Sequence, residues 1–124
     1  MDNIGIGVDI ENIGRFRKHR LADDKYFLNK VFTRREINYC VAKNDPAKHL
    51  AARFAGKEAV LKALSSVCHS AINLSDYRKI EIINTENNAP SVKIWENGYN
   101  GFSVKISLSH CRDRAIAFVV LICN

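Results

Sequence analysis

Asp45-Pro46 supplies a helix N-cap followed by proline at the first helical position, and the pattern beyond it constrains the fold more than any other segment. The helix expected from Pro46 to about Leu64 is the longest in the chain. Leu50, Phe54, Leu61 and Leu64 make one apolar stripe along it, at spacings of four, seven and three. Ala47, Ala51 and Ala55 make a second stripe that continues into Glu58 and Lys62. Small side chains leading to a glutamate let another element pack closely there. The alternative is an exposed Glu58–Lys62 ion pair one turn apart, contributing only a few tenths of a kcal/mol, roughly 0.2–0.5.

The N-terminal segment carries a separate signature. Ile4, Ile6, Val8 and Ile10 alternate with Gly5, Gly7 and Asp9, the period-2 pattern of a half-buried strand. Two glycines followed by a carboxylate leave open space beside Asp9 and let something approach the backbone closely. Asp9 closes the strand, and Glu58 stands mid-helix one turn before Lys62. Two carboxylates amid Lys and Arg suit a divalent metal holding a polyphosphate. The acids take the metal, and the cations take the phosphate charge left over.

The rest of the chain divides into helices and then strands. Asn12 caps a first helix expected to run to about Leu21, with Ile13 and Phe16 inward. Asp23 to Phe32 reads as a short second helical segment. Thr33-x-x-Glu36 is a capping box that starts a third, burying Ile37, Cys40 and Val41 and ending at Lys43-Asn44. Beyond residue 78 the periodicity becomes β, with strands expected at 79–84, 91–95, 102–109 and 115–122. Turn signals separate them at Asn87-Asn88-Ala89-Pro90, Asn97-Gly98, Asn100-Gly101 and Arg112-Asp113-Arg114. Phe102, Val104, Ile106 and Leu108 face one way, opposite Ser103, Lys105, Ser107 and Ser109. The last strand is apolar on both faces, which suits a central strand or one buried at an interface. His110 stands where the strand before it ends.

At 124 residues the chain reads as one domain, large enough to fold without staples. No apolar run reaches about 18 residues and no basic-then-apolar leader opens the chain, so a soluble, cytoplasmic protein is expected, with no membrane partner. Nineteen Lys and Arg against thirteen Asp and Glu give a net charge of +6, which favours a nucleotide, a nucleic acid or an acidic protein as partner. Arg15, Arg17, Lys18, His19 and Arg20 concentrate that charge just after Asp9, although a solvated helix face reads the same way. Nine per cent aromatic residues without an aromatic–basic stacking motif argue against nucleic acid. Cys40, Cys68, Cys111 and Cys123 form no Cys-x-x-Cys pair and read as thiols. Cys68-His69 and His110-Cys111 are adjacent pairs, which on a strand point to opposite faces and do not chelate one zinc.

In this order, these elements resemble the small holo-acyl-carrier-protein synthases, the short-chain group of 4′-phosphopantetheinyl transferases. The resemblance rests on Gly5-Ile6-Gly7-Val8-Asp9-Ile10, the basic first helix, Phe32-Thr33-Arg34-Arg35-Glu36, the run Leu50 to Ala63 with Gly56-Lys57-Glu58-Ala59-Val60-Leu61-Lys62, Ile80-Glu81-Ile82 and Ile106-Ser107-Leu108-Ser109-His110. It covers nearly the whole chain. It implies an α+β fold, with the N-terminal strand and helices on a small, mainly antiparallel sheet. It implies transfer of phosphopantetheine from coenzyme A to a carrier-protein serine, releasing 3′,5′-ADP. Asp9 and Glu58 match the family's Mg²⁺ ligands, and Lys62 and His110 match groups near the phosphates. Arg53 lies about 140° around the helix from Glu58, on the geometry of 100° per residue. It therefore suits the 3′-phosphate or a neighbouring subunit. The sequence leaves the base that takes the serine proton open, with Glu58 acting through a metal-bound water as the candidate. Arg15, with Lys18 nearby, matches the docking position for an acidic acyl carrier protein, and the family forms homotrimers with sites between subunits.

Two departures accompany the resemblance. The family's glycine-rich turn after the long helix is replaced by Ser65-Ser66-Val67-Cys68-His69-Ser70, and its Asn-Gly-x-Pro hairpin reads Asn88-Ala89-Pro90. Both border the family's nucleotide pocket, so coenzyme A affinity or carrier preference is expected to differ. A dedicated carrier for polyketide synthesis, rather than fatty acid synthesis, is one such outcome. The competing class is a non-catalytic basic module of the same fold that binds an acidic protein or RNA. Retention of Asp9, Glu58 and Lys62 together argues against it.

Overall fold

The computed structural model describes residues 3–18, 24–67 and 76–123. Its elements run β1 (Ile4–Asn12), α1 (Ile13–Lys18), α2 (Lys25–Val31), α3 (Arg34–Val41), α4 (Pro46–Val67), a 3-10 turn (Tyr77–Lys79), β2 (Ile80–Asn84), β3 (Pro90–Ile94), β4 (Phe102–His110) and β5 (Arg114–Cys123). Every expected element is present, with ends shifted by one to three residues. The first helix is expected to reach Leu21, and residues 19–21 lie outside the described set.

Local signals explain the helix starts. Asn12 Oδ1 accepts the Gly14 N–H at 2.8 Å, and Asp24 accepts the Phe27 N–H at 3.1 Å. Thr33 and Glu36 close the reciprocal capping box. Asp45 accepts the Lys48 backbone N–H, and its pairing with Arg17 is the largest cause holding its carboxyl below the usual range.

All strand pairs are antiparallel. β5 is the centre of a three-stranded sheet, β1-β5-β4, and β2 and β3 form a separate hairpin. The expected central place of the last strand is therefore correct. The register sets Asp9 opposite Ala117 and His110 opposite Ala115. Helix α4 lies across the sheet, burying Ala55, Ala59, Ala63, Ala117, Val119 and Leu121 between them. A second cluster joins α1, α2 and α3 to the first half of α4 around Ile13, Phe16, Leu28, Phe32 and Leu50.

One expectation needs correcting. The glycine face of β1 is not open space, because α4 fills it. A Cβ on Gly7 would lie 1.9 Å from the Ala59 carbonyl oxygen, and one on Gly5 would lie 2.3 Å from the Ala63 carbonyl oxygen. The glycines serve a strand–helix contact so close that no side chain fits, and alanines supply the other half of it. The isoleucine face consequently points outward. Ile4, Ile6, Val8 and Ile10 of β1 are exposed beside Ile116 and Phe118 of β5.

Candidate active site

The β1–α4 contact brings the acids together. Asp9 Oδ1 accepts Lys62 Nζ at 3.3 Å, and the same ammonium donates to the Val8 carbonyl at 2.9 Å. Asp9 Oδ2 is buried with no hydrogen-bond partner. Glu58, one turn earlier on α4, accepts the Tyr77 hydroxyl at 2.6 Å on Oε1. Among the described residues Lys62 therefore pairs across elements with Asp9, and the Glu58–Lys62 helix pair is not formed.

Two further groups complete this neighbourhood, and sequence reasoning missed both. Glu11 shares the Asp9 face of β1, two residues on, and is tied to Arg15 at 3.4 Å. Burial first, then the neighbouring Asp9 carboxylate, with a smaller push from Glu58, raise its carboxyl to about 7, against the opposing pull of Arg15. The period-2 alternation that placed Asp9 places Glu11 as well, so this residue was legible. Tyr77 was not. It lies nineteen residues from Glu58 in sequence and meets it only through the turn before β2. The Glu58 hydrogen bond, followed by burial, raises the Tyr77 hydroxyl to about 12.

Behind these groups lies a buried ionic clamp. Lys57 and Glu36 are both 0% exposed and meet at 2.8 Å. Lys57 also donates to the Tyr77 carbonyl at 2.9 Å and to the Ile80 carbonyl. Glu36 Oε1 accepts the Thr33 N–H, and its Oε2 accepts the Ile82 N–H at 2.9 Å. Burial pulls the Lys57 ammonium down, and Glu36 opposes that shift. The clamp fixes α3, α4, the 3-10 turn and β2 to one another, with every charge hydrogen-bonded. Lys57 thus points away from the carboxylate pair, although it neighbours Glu58 in sequence.

Arg53 and His110 belong to a second group, rich in basic residues. Arg53 is 3% exposed, with its guanidinium 4.1 Å from the Tyr39 ring centroid and Nη2 donating to Asn84 at 2.6 Å. Its Nε is buried without a partner. Lys43 covers the same Tyr39 ring, and His49 meets it edge-on. Burial pulls the His49 imidazole down, as do the nearby charges of Arg53, Lys48, Lys43 and His110. His110 is exposed at the end of β4. Arg15 is exposed on α1 and reaches Asp9 through Glu11, while the side chain of Lys18 lies outside the described residues.

The site thus gathers a buried carboxylate oxygen without a partner, a lysine paired to the same carboxylate and a second carboxylate on the facing helix, donor types that suit a cation and a phosphate. The sequence profile of the 4′-phosphopantetheinyl transferase superfamily matches residues 5–119, and the chain belongs to that family. It is 44% identical over 117 residues to holo-acyl-carrier-protein synthase of Thermodesulfovibrio yellowstonii, covering 94% of this chain and 96% of the relative. Among solved structures, Helicobacter pylori holo-acyl-carrier-protein synthase in complex with coenzyme A is 30% identical with a TM-score of 0.77, over 94% of this chain and 98% of that one. A coenzyme A complex from Chronobacterium ammoniagenes, at 22% identity, shares the fold with a TM-score of 0.83 over 99% of both chains.

Proposed function

We propose that this chain transfers 4′-phosphopantetheine from coenzyme A to a serine hydroxyl of an apo acyl carrier protein, releasing 3′,5′-ADP, with Mg²⁺ held by Asp9 and Glu58. The observation that carries the metal assignment is the buried, unpartnered Asp9 Oδ2. A buried carboxylate oxygen is costly to leave unsatisfied, so it marks a place for a cation. The donor set fits Mg²⁺, which takes one or two carboxylates and completes its shell with water and substrate phosphate. When bound, the ion would polarise the phosphoryl oxygens and stabilise charge on the departing nucleotide.

The chain's own groups then have distinct tasks. Lys62 holds Asp9 and, four residues from Glu58 on α4, can shift its ammonium onto the diphosphate when substrate arrives. In the transfer the serine oxygen bonds to the phosphorus bearing pantetheine, the bond from that phosphorus to the bridging oxygen breaks, and the nucleotide leaves with that oxygen. The serine proton passes to Glu58 through a water. Arg53, with its unpartnered Nε, and His110 stand with the basic residues around His49, which suits the 3′-phosphate.

Arg15 is the docking residue for the acidic carrier, one ion pair from Glu11 and so beside the reaction centre. Lys18 is its companion in that assignment. The exposed face of Ile4, Ile6, Val8, Ile10, Ile116 and Phe118 suits burial against second copies of the chain, in a homotrimer with active sites between subunits. No helix among the described residues is long and apolar enough to cross a membrane. The site of action is the cytoplasm, alongside coenzyme A. Incubating the protein with coenzyme A, Mg²⁺ and an apo carrier protein tests the reading. Intact mass should show the carrier gaining one phosphopantetheine, and an unchanged carrier mass would reject the reading.

A further inference from the structure

We infer that Tyr77 is a positioning residue for the metal site, acting through Glu58. This inference rests on the reading of Glu58 as a metal carboxylate. The Tyr77 hydroxyl donates to Glu58 Oε1 at 2.6 Å, which fixes one carboxylate oxygen and the torsion of a long, otherwise adaptable side chain. A carboxylate tied at one oxygen presents the other in a single orientation, and partners of this kind hold a ligand for its metal.

Tyr77 itself is held from three sides. Its ring packs on Phe54 with centroids 5.7 Å apart, and its carbonyl accepts the buried Lys57 ammonium at 2.9 Å. Asp76, just before it, caps the 3-10 turn by accepting the Arg78 N–H. The Lys57–Glu36 pair thus acts on the carboxylate site at one remove. It sets the Tyr77 backbone, the ring contact sets the side-chain direction, and the hydroxyl sets Glu58. A tyrosine serving only the core would direct its hydroxyl to solvent or to a backbone group, not to the carboxylate beside Asp9.

Tyr77→Phe keeps the ring and its packing and removes only the oxygen. With coenzyme A present, Mn²⁺ binding followed by electron paramagnetic resonance should weaken by about tenfold in this variant. The Mg²⁺ concentration for half-maximal activity should rise in parallel, while the melting temperature stays close to the parent. Glu58→Gln should weaken Mn²⁺ binding more, and adding Tyr77→Phe to it should change nothing further. If Tyr77→Phe binds Mn²⁺ within about twofold of the parent while Glu58→Gln binds much more weakly, the positioning role is wrong and the metal assignment stands. If Glu58→Gln binds Mn²⁺ like the parent, the metal assignment fails and takes the inference with it.

Discussion

Gly7→Ala should damage this protein out of proportion to one added methyl group. The new Cβ would stand 1.9 Å from the Ala59 carbonyl oxygen and 2.9 Å from the Ala63 backbone nitrogen. Returning the nearest approach to ordinary contact at 3.4 Å requires β1 and α4 to separate by about 1.5 Å, more than a close-packed interior yields without strain. Both obstructing atoms are backbone, so no rotamer change relieves them. The expected destabilisation is about 3 kcal/mol, the upper end of overpacking costs. For a chain of this size that lowers the melting temperature by about 10 °C. The chemistry should suffer as well, because the same contact sets Asp9 against Glu58 and Lys62. A displacement of about 1 Å at such a site typically lowers turnover by about a hundredfold. Gly56→Ala is the comparison, since its Cβ would meet only side-chain ends, Ile82 Cδ1 at 2.3 Å and Ile106 Cδ1 at 3.1 Å, and should cost less than a clash with backbone. Differential scanning calorimetry with a single-turnover transfer assay reads both effects. A Gly7→Ala protein that melts and turns over like the parent would refute the strand–helix argument.

Three other outcomes follow from separate parts of the structure. Lys57→Met strands the buried Glu36 carboxylate and should cost about 3–5 kcal/mol in urea unfolding, with part recovered when Glu36→Gln is added. No recovery would mean that the charge is not what Lys57 compensates. Arg15→Glu should raise the KM for the carrier and reduce its salt dependence while leaving the KM for coenzyme A unchanged. Equal losses for both substrates would move Arg15 into the nucleotide site. Ile6→Asp, on the exposed apolar face, should reduce a trimeric mass in light scattering to that of a single chain, and a parent protein already monomeric and active at micromolar concentration would remove the shared-site proposal.

Periodicity and capping chemistry made most of the fold legible, because both are local. Asn12, Thr33 with Glu36, and Asp45 all cap where expected, alternation gave β1 and β4, and apolar character on both faces gave the central β5. The direction in which β1 faces was not legible. Hydrophobic alternation favours burying Ile4 to Ile10, but Gly5 and Gly7 let α4 approach so closely that the glycine side became the interior. That Asp9, Glu58 and Lys62 would act together was anticipated from the strand end and helix spacing, but the ion pair of Asp9 with Lys62 was not. Glu11 needed only the same alternation carried two residues further. Tyr77 and the inward course of Lys57 depend on where the turn before β2 lands on α4, which no local pattern encodes. The stretch between Glu58 and Tyr77 includes residues 68–75, which lie outside the described set.

The most direct test of the Asp9–Glu58 site is carrier modification by intact mass, at limiting and at saturating Mg²⁺, for the parent, Asp9→Ala and Glu58→Ala proteins. The parent should convert an apo carrier to its phosphopantetheine adduct with a rate that rises with Mg²⁺ and vanishes on chelation. Each variant should remain folded by circular dichroism and lose most of the transfer at both concentrations. Near-parental conversion by either variant at limiting Mg²⁺ would contradict that residue's place in the metal site.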